Sequence, residues 1–197
     1  MVSLPLAKMS YAEYLAFEAS SSTKHEYVSG EVYAMAGGSI EHGALAMAIG
    51  TALSVALRDR RCRVLSSDVR VRSKATNMST YPDVTVVCGA VDVGADDAHG
   101  VMNPVVVVEV LSDSTEAYDR GAKAAHYRRI PSLREYVLVS QSEPLIEVYR
   151  RNERDKWELV AEARASERAE LASCGEPITL DVDEIYRDPL RAENLPE

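Results

Sequence analysis

The stretch Pro104-Val105-Val106-Val107-Val108-Glu109-Val110-Leu111 decides how this chain is read. Apolar, β-branched residues follow one another without the polar alternation of a half-exposed strand, the pattern of a strand buried on both faces of its sheet. Such a sheet needs cover on either side, so the run points to an α/β architecture. Glu109 interrupts it. A carboxylate there is costly to bury unless it is paired or bound to a metal.

Working upstream, Tyr81-Pro82-Asp83-Val84-Thr85-Val86-Val87 reads as a second strand, with Asp83 beside another apolar run. If the two strands are neighbours, Asp83 and Glu109 converge, and two carboxylates with water suit a hard divalent cation such as Mg2+. The plainer alternative is that Asp83 caps a turn and Glu109 meets an arginine. Downstream, Asp113 with Glu116 three residues later opens a helix that runs to Arg129, and Pro131 stops it. Asp119, Lys123 and Tyr127 are spaced by four and share one face. Lys123 follows Glu109 by enough chain to fold the helix back beside the strand, where an ammonium would stabilise developing negative charge. By itself the Asp119–Lys123 spacing also describes an i,i+4 surface pair worth about 0.3 kcal/mol.

Further out, Ser10 caps a short helix over 10–20, and 25–35 reads as a hairpin about Ser29-Gly30. Leu45, Ile49, Leu53 and Leu57 form one apolar stripe on a helix from Glu41 to about Arg60. Val64, Leu65, Val69 and Val71 suggest one strand, and 89–100 an acidic surface loop. Strands follow at 133–140, 145–149, 157–161 and 178–180, the later ones antiparallel. The expectation is a single α/β domain over 10–190 with a mixed central sheet, and tails at 1–9 and 191–197.

The 197 residues are 46% hydrophobic, enough for a sizeable core, and carry 22 Lys+Arg against 31 Asp+Glu, a formal charge of −9. That charge excludes a tight, non-specific nucleic-acid coat, which needs a surplus of Lys and Arg. Arg58, Arg60, Arg61, Arg63, Arg70, Arg72 and Lys74 nevertheless make a local basic segment, a candidate phosphate-contacting edge. No apolar run reaches the roughly 18 residues of a membrane span. The start of the chain lacks the pattern of a secretory signal, so the expected location is cytoplasmic. Cys62, Cys88 and Cys174 and the four histidines show no zinc spacing, and the cysteines are expected to be reduced and partly buried.

Tyr81-Pro82-Asp83, Glu109-Val110-Leu111-Ser112 and Asp119-Arg120-Gly121-x-Lys123-x-x-x-Tyr127, with His25-Glu26-Tyr27-Val28-Ser29-Gly30-Glu31 before them and Ile178-Thr179-Leu180-Asp181-Val182 after, together resemble the Uma-two family of restriction endonucleases, within the PD-(D/E)XK nuclease superfamily. The resemblance covers almost the whole chain. It implies a restriction-endonuclease-like core with a mixed central sheet flanked by helices, plus an N-terminal hairpin and C-terminal antiparallel strands. It also implies a metal-dependent endonuclease acting on DNA. Asp83 and Glu109 match the two metal-binding acids, for Mg2+ or Mn2+ with a backbone carbonyl near Val110. The superfamily lysine normally stands two positions after the second acid, where this chain has Leu111, and Lys123 matches a helix lysine that takes the role. Glu31 matches a glutamate that completes the acidic cluster, or is a hairpin carboxylate in water. His42 would contact phosphate or cap its helix, and Asp68 and Tyr127 would support the site. Superfamily relatives often pair, so a homodimer is a further expectation. The competing readings are a nuclease-fold protein without turnover that binds nucleic acid or assembles complexes, and a hydrolase of another phosphate ester.

Overall fold

The computed structural model describes residues 5–35 and 37–188. Its elements in chain order are β1 (Ala7–Lys8), α1 (Tyr11–Ser20), β2 (His25–Val28), β3 (Glu31–Ala34), α2 (Ile40–Leu57), β4 (Cys62–Ser66), β5 (Arg70–Ser73), β6 (Met78–Thr80), β7 (Val84–Cys88), β8 (Val93–Gly94), β9 (Asp97–Val101) and β10 (Val106–Leu111). A helical segment follows, made of α3 (Glu116–Tyr118), a π turn (Asp119–Lys123) and α4 (Ala124–Tyr127). Then come β11 (Glu135–Ser140), β12 (Leu145–Arg151), β13 (Trp157–Arg164), β14 (Arg168–Leu171), β15 (Ile178–Asp181) and α5 (Val182–Ile185).

The valine run forms β10, and all six of its residues are buried. It lies inside a six-stranded sheet of order β13-β12-β11-β10-β7-β4, parallel to β11 and antiparallel to β7. Period-two alternation splits its side chains between two cores. Val106, Val108 and Val110 pack with the α2 stripe, where Leu45, Ile49, Leu53 and Leu57 are all buried. Val107 and Leu111 pack with Ala124, Tyr127, Tyr136 and Leu138 on the other face. Glu109 has the parity of that second face.

A second, seven-stranded sheet has the order β1-β3-β2-β6-β5-β9-β8, and β14 pairs with β15 in a small third one. The chain is therefore mixed α/β, as expected, but four local expectations are corrected. The single strand through Val64 and Val71 is broken by a turn, in which the Val69 N–H donates to the Ser66 carbonyl, and its halves enter different sheets. The segment 89–100 contributes β8 and most of β9 rather than only a loop. Within 1–9, Ala7 and Lys8 pair with Val32 and Glu31; the expected tail at 191–197 lies outside the described residues. The basic segment is not one edge: Arg70 is paired with Asp97, and Arg72 is buried against the Tyr11 ring.

The cysteines depart furthest from expectation. β4 and β7 are antiparallel with Cys62 opposite Cys88, so two residues 26 positions apart meet across the ladder and are joined in a disulfide. Cys174 stays free and buried. Helix α2, at 18 residues with mean hydropathy 1.5, is long and apolar enough to cross a membrane by length and composition. One stripe of it is core, while Ile40, Met47 and Val55 on its outer side are exposed.

Candidate functional site

The pairing of β10 with β7 sets Val108 opposite Val84, and one step further along the same register brings Asp83 across from Glu109. The two acids therefore do converge. Asp83 is fixed through both oxygens: the Val110 N–H donates to Oδ2 at 2.7 Å, and His42 Nε2 lies 2.9 Å from Oδ1. His42 stands in the first turn of α2, where its own N–H bonds the N-cap Ser39 hydroxyl. Gly38 leaves room for the imidazole, because a Cβ there would sit 2.9 Å from the ring. The bond to Asp83 holds the His42 pKa above its ordinary value, against the pull of partial burial.

Lys123 comes from the π turn. A π turn is a rare, widened helical turn that recurs at functional sites; here it leaves the Asp119 carbonyl to accept from the Tyr136 hydroxyl at 2.9 Å. The Lys123 side chain is buried, with Nζ 2.9 Å from Glu109 Oε1, 3.1 Å from Glu26 Oε1 and 3.4 Å from Asp119 Oδ1. The Tyr127 hydroxyl, one helical turn on, donates to the same Glu109 oxygen at 2.7 Å. Thr80 donates to Glu26 from the neighbouring strand β6.

Lys123, Glu109 and Asp119 are electrostatically coupled. Burial pulls the Lys123 pKa down, but Glu109 and Glu26 outweigh it and hold the lysine charged. Burial pushes the Glu109 carboxyl well above the ordinary carboxylate range; Lys123 draws it back, while Asp119 and Asp83 push it further up. Asp119 is likewise raised, first by burial. Four carboxylates thus face one ammonium and one imidazole, and the surplus negative charge is what a hard cation would neutralise. Asp83 and Glu109 are placed to hold such an ion, with Glu26 and Asp119 beside them; the donors are oxygens, which fits Mg2+ or Mn2+.

Of the residues singled out in the sequence, Asp83, Glu109, Lys123, Tyr127 and His42 come together, and His42 does more than cap its helix. Glu31 does not join them: its carboxylate accepts from Tyr33 at 2.6 Å and pairs with Lys8 at 3.5 Å near the sheet edge. Asp68 pairs with Lys24 on the surface. Glu26 was missed, although it lies in the same hairpin as Glu31. Leu111, two positions after Glu109, is 3% exposed and part of the second core.

A family model described as "Putative restriction endonuclease", Uma2, matches residues 11–183. The chain is 40% identical over 185 residues to the uncharacterized protein slr1290 of Synechocystis sp., covering 94% of this chain and 95% of that one. It is 32% identical over 146 residues to sll1609 of the same organism, covering 74% and 82%. Among solved structures, it is similar to a chain from Anabaena variabilis titled as a putative nuclease belonging to DUF820. The TM-score is 0.70 at 15% identity, over 92% of this chain and 98% of that one, a likeness of fold.

Proposed function

The chain belongs to the Uma2 family, and from that premise we propose that it is a divalent-metal-dependent endonuclease that hydrolyses phosphodiester bonds in DNA. The observation that carries the reading is the single buried ammonium of Lys123 set among Glu109, Glu26 and Asp119, with Asp83 fixed across the strand pair. Asp83 and Glu109 would hold Mg2+ or Mn2+, which would supply a water of lowered pKa and offset charge on the scissile phosphate.

The protein groups act around that chemistry. Lys123 holds positive charge beside Glu109, where it orients the attacking water or meets the negative charge that develops on the phosphate. Tyr127 and Lys123 together fix the Glu109 carboxylate through Oε1. His42 holds Asp83 through Oδ1 and can carry a proton at Nε2. The charge of −9 limits the grip on DNA to local contacts.

The test is plasmid cleavage with Mg2+ or Mn2+ by wild type, Asp83→Ala, Glu109→Ala and Lys123→Ala. All three changes are expected to abolish it, and cleavage that survives all three would overturn the assignment. A second reading, a nuclease fold without turnover that binds nucleic acid or assembles complexes, is favoured by Leu111 two positions after Glu109. It predicts no cleavage by wild type under either metal.

A further inference from the structure

Three sulfurs that are remote in sequence meet outside the carboxylate site. Cys62 opens β4, Cys88 closes β7 and Cys174 lies between β14 and β15, and their Sγ atoms all lie within 4.8 Å of one another. Asp83 immediately precedes β7 and Cys88 ends it, which separates the two clusters by roughly 16 Å of extended strand.

We propose that, once the Cys62–Cys88 disulfide is reduced, Cys62, Cys88 and Cys174 form a three-thiolate site for a borderline-to-soft cation of the zinc class, with a fourth position open to solvent. Thiolates select Zn2+ or Cu+ over Mg2+, so the site would not compete for the ion of the carboxylate cluster. A Zn–S bond of about 2.3 Å places tetrahedral ligands roughly 3.8 Å apart, so the widest sulfur spacing closes by about 1 Å at most while the two sulfurs freed from the disulfide part to reach the same distance. The surroundings allow that. Gly89 and Gly175 follow Cys88 and Cys174 directly, both in the left-handed region (φ +82° and +95°), and a Cβ on either would meet nothing within 4 Å. The cysteines border a surface hollow of about 720 Å³ that reaches Arg60, Arg61 and Glu176.

Charge fits as well. Three thiolates and Zn2+ carry a net −1, and Arg60 stands beside them, donating to the Cys174 carbonyl at 3.1 Å and to that of Glu176. The steps balance. A dithiol reductant gives two electrons and two protons to the disulfide, yielding two thiols and its own oxidised form. Metal uptake then releases three protons from three thiols. Disulfide and metal use the same two sulfurs, so the oxidised chain cannot bind.

The test uses the full chain, reduced with a phosphine that is then removed, and Co2+ as the spectroscopic stand-in for Zn2+. One Co2+ per chain is expected, with intense near-ultraviolet thiolate-to-cobalt bands that Zn2+ displaces. The bands should vanish on oxidation and in Cys174→Ser, and persist in Glu109→Gln, which separates this site from the carboxylate cluster. Should Cys174→Ser misfold by circular dichroism, Cys62→Ser, at a less buried position, must show the same loss. Absence of thiolate bands in the reduced wild type, or full bands in a folded cysteine variant, would overturn the proposal.

Discussion

Two buried polar clusters among the described residues are built on opposite charge balances. Against the seven-stranded sheet, His25 Nδ1 lies 2.9 Å from Glu18, the Tyr81 hydroxyl donates to Glu18 at 2.7 Å, and Arg70 reaches both Tyr81 and Asp97, the latter at 2.8 Å. Tyr11 completes the chain of bonds on Asp97. Each acid there has its own basic partner. Burial pushes the Asp97 carboxyl up, yet the bonds from Arg70 and Tyr11 outweigh it and leave it below its ordinary value. Around Lys123, by contrast, acids outnumber bases, and Glu109 is driven far in the other direction. Similar burial thus leaves one cluster neutralised and the other with more acids than bases, so charge balance rather than burial separates the two.

The comparison can be broken most sharply through activity. Lys123→Met is expected to lower cleavage by about a thousandfold or more, whereas Asp97→Asn should leave the rate per folded molecule nearly unchanged; equal losses in a cleavage assay would erase the distinction. Stability should show the reverse order. Asp97→Asn strands Arg70 and is expected to cost about 3 kcal/mol in urea unfolding. Glu109→Gln without metal should be neutral or up to about 1 kcal/mol stabilising, since Lys123 keeps Glu26 and Asp119. A large loss from Glu109→Gln would place the site with the scaffold.

Metal gives the third measure. Mg2+ at a hundredfold excess over its Kd should stabilise wild type by about 2.7 kcal/mol and Asp83→Ala not at all, read as Tm shifts. The smallest effect concerns pH. Because the folded His42 pKa is raised above 6.5, its pairing with Asp83 contributes fully below that value and is lost as pH rises through the folded one. The stability gap between wild type and His42→Asn, followed from pH 6 upward without metal, should therefore shrink; a constant or widening gap contradicts the pairing.

Much of this was legible in the sequence. The valine run around Glu109, the Pro-Asp strand and the α2 leucine stripe each announce burial through local periodicity, and Lys123 through its place on the following helix. What escaped depends on which strands become neighbours. Glu26 and Glu31 stand in one hairpin, but β2 is flanked by β6 while β3 has, among the described residues, only the two-residue β1 beyond it, and no local pattern states that order. The same holds for Cys62 and Cys88, whose meeting follows from the β4–β7 register. Strands of two to five residues, such as β8 and β9, are too short for alternation to mark them. Asp119 and Lys123, an apparent surface pair, lie buried in a π turn, and nothing in the spacing separates that turn from an ordinary helix.

Leu111 fixes the side from which positive charge can reach Glu109. With the ammonium delivered from the helix, the position two residues after Glu109 is filled by apolar packing in the core that holds Leu138 and Tyr127. A lysine placed there would enter an occupied core and face Lys123 across the same carboxylate, so strand and helix cannot both supply the cation.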